Sequence, residues 1–214
     1  MAKLVWGSAG SRIYEIGVDR GVLYLNGVGY PWSGLISVDE NTTSSDAREF
    51  YLDGVKYLNL MSLEDFSASI EAYGAPSQFL ECDGGREIAN GLIATQQRRT
   101  PFGFSYRTLI GNDTQGERYG YKLHLVYNAI VSSSNYQATT IGEKAEPVKS
   151  NWEVTTKPVK VGGLRQTAHY VVDSTKTPAP LLADVENILY GNQSNDAALI
   201  PATTLFSMFT NYVP

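Results

Sequence analysis

The sequence predicts a mainly β fold built around one long hairpin and closed by small helices. Three observations carry this. The stretch Pro101–Ser134 holds two apolar–polar alternating runs on either side of a polar, glycine-containing loop. Side chains alternate across a strand, so such runs read as paired strands. Further alternating runs recur before and after it, and beyond Pro178 and Pro180 the apolar period changes from that of a strand to that of a helix.

Taken in order, residues 1–21 carry Gly7, Gly10, Gly17 and Gly21 and read as an irregular arm with at most a short strand over Arg12–Val18. Val22–Leu25 is a short strand closed by Asn26-Gly27, a hairpin-turn signal. Tyr30-Pro31-Trp32 leads into the run Gly34–Glu40, where Ile36 and Val38 share a face. Asp39–Arg48 is rich in Ser, Thr and Asp and reads as a loop. Glu49–Asn59 is strand-like around Asp53-Gly54, a turn or a bulge. Phe66–Tyr73 alternates cleanly, with Phe66, Ala68, Ile70 and Ala72 on one face. Gly74-Ala75-Pro76 stops it, and Pro76 opens a short helix over Ser77–Glu81. Cys82–Gly85 is a turn, and Arg86–Thr100 shows no assignable pattern.

In the central hairpin, Phe102, Phe104, Tyr106 and Thr108 share one face of the first strand. In the second, Tyr121, Leu123, Leu125, Tyr127, Ala129 and Val131 share one face, and Lys122, His124, Val126, Asn128 and Ile130 the other. Gly111-Asn112-Asp113 and Gly116 supply the turn. Both strands exceed the usual length of about five or six residues, as expected where both faces meet protein. Tyr136–Ile141, Trp152–Thr156 and Ala168–Asp173 read as short strands, with a charged loop at Gly142–Lys149. Leu181, Leu182, Val185, Ile188 and Leu189 then recur at helical spacing, with Gly191 as the stop. A second helix follows Pro201, with Leu205, Phe206 and Phe209 on one side. No linker and no repeat of fixed period is evident, which predicts a single domain over 1–214.

Composition narrows the function classes. Of 214 residues, 43% are hydrophobic and 18% charged, with 14 tyrosines. Tyrosine suits half-buried strands and interfaces because its ring packs while its hydroxyl stays bonded. A net charge of -5 argues against wrapping nucleic acid by phosphate neutralisation. One cysteine, Cys82, excludes an intrachain disulfide framework, and with two histidines it does not make a common structural zinc site. No run approaches the ~18 apolar residues of a membrane helix, and the opening residues lack the apolar core of a signal peptide. A soluble chain made in a cytoplasm is therefore expected. The N-x-S/T triplets at Asn41, Asn112 and Asn192 are then chance matches.

Motifs for chemistry are absent or incomplete. There is no G-x-S-x-G elbow and no phosphate-binding loop, and Gly27-Val28-Gly29 lacks the rest of a dinucleotide fingerprint. His124 and His169 lie in strands and read as packed residues; Cys82 reads as a semi-buried thiol. Asn112, Asp113 and Glu117 lack the alternating oxygen pattern of a calcium loop and read as a solvated hairpin tip. No acid pair stands out for glycoside cleavage. The expectation is a chain with no enzymatic activity, no cofactor and no metal.

Several blocks together resemble the major tail tube proteins of long-tailed bacteriophages, particularly those of actinobacteria. They are Gly17–Tyr24, Trp32–Val38, Asp53–Tyr57, Asp65–Ala72, Phe102–Thr108, Tyr121–Asn128 and Glu186–Gly191. Gly74–Phe79 departs from the turn expected at that place, which touches a loop and not the fold. The resemblance implies a tail-tube-type β-sandwich or barrel with flanking helices. It implies hexameric rings stacked into a tube, in the virion, with inner strands paired across subunits. It further implies a tape measure protein in the lumen, a tail terminator and a distal tail protein at the tube ends, and DNA passing through without specific binding. Six copies at -5 give about -30 per ring, a field that repels phosphate, so acidic residues are expected along the lumen. Ring-to-ring contacts are expected from the Asp39–Arg48 loop and the hairpin tip, through Thr42, Asp46, Arg48, Asn112, Gln115 and Glu117.

Two alternatives remain at this level. One is another ring-forming tail protein, a terminator or distal tail component. The other is a carbohydrate-binding β-sandwich stacking sugars on Trp6, Trp32 or Trp152. A β-rich glycosidase is weaker still, for want of an acid pair.

Overall fold

The computed structural model describes residues 4–43, 48–60, 64–138, 140 and 147–212. The strands are β1 (Ile13–Leu25), β2 (Val28–Trp32), β3 (Leu35–Thr43), β4 (Arg48–Leu52), β5 (Val55–Leu60), β6 (Asp65–Ala72), β7 (Arg86–Ala89), β8 (Leu92–Ala94), β9 (Phe102–Asn112), β10 (Gly116–Tyr136), β11 (Ser150–Thr156) and β12 (His169–Asp173). A 3₁₀ turn covers Ser77–Glu81, and the helices are α1 (Ala179–Tyr190) and α2 (Ala202–Thr210). The fold is mainly β with late helices, as the sequence predicts.

One antiparallel sheet runs in the order β2-β1-β9-β10-β11-β6-β3. β12 adds to β10 over Lys122–Val126, below the place where β11 pairs with Ala129–Tyr136. The sheet curls like a barrel. Glu40, on β3 at one end of the order, reaches Tyr106 and His124 near its centre. At Gly21 the closing strands come so near that a Cβ would lie 2.2 Å from Leu35 Cδ1. β4–β5 and β7–β8 are separate two-stranded hairpins.

Each face of the curled sheet has its own core. Inside lie Leu23, Leu25, Trp32, Ala68, Ile70, Ala72, Phe79, Phe102, Phe104, Tyr106, Val126, Ala129, Val131, Trp152 and Val154. Their rings form a continuous column from Phe102 through Phe79, Trp152, Trp32, Phe104, Tyr106, His124 and His169 to Phe66, with centroids 4.5–5.7 Å apart. Tilted and edge-on pairs at these distances add to what burial alone contributes. Trp32 Nε1 donates to Gly74 O at 2.8 Å, so the indole is buried with its polar handle satisfied. Outside, α1 and α2 lay Leu181, Val185, Leu189, Ala202 and Leu205 on Val22, Tyr24, Leu123, Leu125, Tyr127 and Val172. Tyr24 and Tyr127 reach through this layer to donate to the backbone oxygens of Leu189 and Ile200.

β10 serves both cores by changing face. Leu123, Leu125 and Tyr127 point outward, yet Ala129 and Val131 belong to the inner core beside Val126. The period-two reading places Tyr127, Ala129 and Val131 together; the structure corrects it. A bulge between Val126 and Ala129 offsets the register against β9, and Asn128 sits there at φ 50°. One extra residue in a strand inverts every side chain after it.

Other boundaries move for similar reasons. The irregular arm and the short strand before Asn26 are one bent strand, β1, with two register shifts that accommodate Gly17 and Arg20 at positive φ. Asn26 (φ 52°) and Gly27 (φ 84°) make the turn the sequence signals. β3 continues through Asp39–Thr43, where a loop is expected, because β6 supplies a ladder partner up to Thr43. Tyr136 ends β10 rather than starting a strand of its own. Arg86–Thr100, patternless in sequence, contains the hairpin β7–β8.

If the bulge holds the two cores in register, Asn128→Val, a β-branched residue forced to positive φ, should lower stability by about 1–2 kcal/mol. Asn128→Gly should stay within about 1 kcal/mol of the parent. Urea denaturation midpoints read this directly.

Candidate functional site

Among the described residues, the hairpin β4–β5 presents a paired apolar surface without cover. Phe50 stands opposite Leu58 and Leu52 opposite Val55, and residues two apart on β4 share a face. All four are exposed, Leu52 at 57% and Val55 at 69%. The other side is polar: Lys56 and Tyr51 both bond the Glu49 carboxylate. The hairpin is therefore amphipathic, with the Asp53-Gly54 turn at φ 50° and 77° closing it. An isolated two-stranded hairpin is marginal in water, and a contiguous apolar face without cover marks an interaction site. The signal was present in the sequence as apolar residues alternating around Asp53-Gly54. Ile88, Leu92 and Ile93 of β7–β8 are exposed too, as are Leu4, Val5 and Trp6 of the N-terminal arm.

The expected contact residues scatter. Thr42 is exposed near the end of β3. Asp46 lies outside the described residues, and Arg48 begins β4. Gln115 and Glu117 are exposed at the β9–β10 tip, but Asn112 is 3% exposed and turned inward. Its Oδ1 accepts from Thr114 N, Thr114 Oγ1 and Gln115 N, so it builds the turn. Asp113 Oδ1 accepts from Gly10 N at 2.9 Å, which ties the tip to the N-terminal arm.

The residues with chemical potential fall on the inner side of the curled sheet. Cys82 is fully buried, and that burial, with Glu81 and Asp83 beside it, pushes its thiol up to about 12; it is no nucleophile at neutral pH. Trp32 and Trp152 belong to the core, so among the tryptophans only Trp6 offers an exposed ring. His124 and His169, read as independent packed residues, instead face one another: His124 Nδ1 lies 3.2 Å from His169 Nε2 and 3.0 Å from Glu40 Oε1. Burial works to raise the Glu40 carboxyl, but the His124 and Tyr106 contacts and the His169 ring outweigh it and hold it down at about 2. Burial pushes His169 down to about 4 against the pull of Glu40, so its ring is neutral at pH 7. Nothing in the sequence joins these residues, which come from β3, β10 and β12. Among the described residues no helix is long and apolar enough to cross a membrane.

The two roles at the tip separate by mutation. Asn112→Ala should cost about 1–2 kcal/mol, because three donors lose one acceptor. Gln115→Ala and Glu117→Ala, exposed, should stay within about 0.5 kcal/mol. Thermal melts of the three variants check this.

No protein-family model and no curated protein sequence matches the chain. Among solved structures it is similar to the SPP1 tail tube, at 12% identity over 87% of this chain and 96% of that one, with a TM-score of 0.41. It is also similar to a chain of the anti-feeding prophage tube terminating cap, at 9% identity over 81% and 97%, TM-score 0.40. A third is a chain of the sheath-tube complex of the extracellular contractile injection system PVC in its extended state, at 10% identity over 72% and 88%, TM-score 0.37.

Proposed function

We propose that this chain is a phage tail tube subunit, one domain along its length, that assembles into hexameric rings stacked as a conduit for DNA. The observation that carries the reading is the β4–β5 hairpin: an apolar face on a marginal two-stranded element, which a neighbouring copy would cover. The sequence blocks that resemble tail tube proteins support the identity of the assembly, and they fall on β1, β3, the β4–β5 hairpin, β6, β9, β10 and α1. In this reading the hairpin crosses to the next copy. Thr42, Gln115 and Glu117 stand at exposed places from which rings can meet. The lumen holds a tape measure protein during assembly and later passes DNA, which a net charge of -5 per chain does not hold. A terminator and a distal tail protein close the ends. The chain carries no enzymatic activity; it is made in the host cytoplasm and resides in the virion.

The test is sedimentation velocity of the parent beside Leu52→Asp/Val55→Asp. Burying two such side chains contributes about 3–6 kcal/mol per contact, so the double variant should assemble at least about a hundredfold more weakly. Its far-UV circular dichroism should stay unchanged, because both side chains are exposed in the folded chain. A folded double variant that assembles like the parent would overturn the hairpin's role.

A further inference from the structure

We propose that Glu40, His124 and His169 form a binding site for a first-row divalent metal ion of the zinc class, which ties β3 to the centre of the sheet. The inference stands apart from the assembly reading. Two imidazoles and a carboxylate are a donor set that suits such ions. Their ligand atoms lie within 4.8 Å of one another. His124 Nδ1 is 3.0 Å from Glu40 Oε1 and 3.2 Å from His169 Nε2, the nitrogen that His169 offers on this side. Donors bound to one ion at about 2.0–2.2 Å stand roughly this far apart.

The hydrogen-bond network supplies the second argument. Thr108 Oγ1 donates its single hydrogen to Glu15 Oε1. Its lone pair, 3.0 Å from His124 Nε2, therefore accepts from that ring nitrogen. Glu15 is itself held by Lys122. The Thr108 bond leaves His124 Nδ1 as the atom that meets Glu40 and His169. At 3.0 Å from the carboxylate, that nitrogen meets it through a proton or through a metal ion. A proton on Nδ1 serves the Glu40 contact or is shared unevenly with His169; a divalent ion serves all three donors.

The outer shell has the character metal sites require. His124 is oriented through Thr108 and Glu15, and Tyr106 donates to Glu40 Oε1, leaving the carboxylate other lone pairs for a metal. Tyr106 stacks on the His124 ring, and Phe66 packs at a tilt against the His169 ring. The histidine side chains are 8% and 12% exposed and Glu40 is 35% exposed, so an ion has a route in and water can hold a fourth position.

Isothermal titration of the metal-free protein with Zn²⁺ should show one saturable site per chain. At a hundredfold excess over Kd the melting temperature should rise by about 5–10 °C. Glu40→Gln/His169→Gln should abolish both effects. Co²⁺ added to the unmodified protein should give the intense visible bands of a four-coordinate nitrogen and oxygen site, a readout that needs no variant to fold. Absence of saturable Zn²⁺ binding, unchanged binding in the folded double variant, or a Co²⁺ spectrum equal to that of the hydrated ion would each overturn the proposal.

Discussion

The bulge at Asn128 is the constraint on which the rest of the fold depends. β10 is 21 residues long and both of its faces are committed. Below the bulge its outward side carries the helices through Leu123, Leu125 and Tyr127; above it Ala129 and Val131 turn into the aromatic column. The same offset lets β12 and β11 share one edge of the strand in succession. Without it, Ala129 and Val131 would turn to the outer side of the sheet, and Asn128 and Ile130 to the inner one. The price of an αL asparagine is of order 1–3 kcal/mol, small beside the burial of Val126, Ala129 and Val131 at about 1.5–3 kcal/mol for each larger side chain.

What the two cores do not absorb defines the rest of the molecule. The helices cover the outer face over β1, β10 and β12, and the sheet's own curl covers the inner one. The β4–β5 hairpin belongs to neither, keeps one apolar side, and arranges Glu49, Tyr51 and Lys56 on the other. An element with that division of faces gains stability only from something laid against it. At the end of the aromatic column the interior turns polar, and Tyr106, His124 and His169 continue the stack with rings that carry donors and acceptors. The fold thus offers one surface suited to a protein neighbour and one interior cluster suited to an ion.

The sequence made the fold class legible because strand and helix periods are local properties. The central hairpin, β6, the Asn26-Gly27 turn and both helices were visible in it. The face change in β10 was not, since a bulge leaves no composition signal beyond one asparagine, a residue that also serves as an ordinary exposed strand position. The extension of β3 was hidden because DENTT has loop composition, and only the ladder from β6 makes it a strand. Glu40 was missed for that reason, and its meeting with His124 and His169 depends on the sheet curling, a long-range property. The apolar alternation of β4–β5 was legible as strand, but whether such a face is covered is a tertiary fact. At Asn112 the sequence shows a turn residue and no more: a turn asparagine satisfies backbone donors whether or not its loop also makes contacts.

Electron microscopy of the purified chain over a range of concentrations tests the central claim, that this fold is completed by copies of itself through the β4–β5 hairpin. The account predicts hollow tubes of uniform width, in which the Phe50, Leu52, Val55 and Leu58 face of each subunit lies against a neighbour. Single rings that never stack would move the reading to a terminator or distal tail protein. Dispersed monomers at high concentration, or tubes in which the hairpin stays free of contacts, would contradict it.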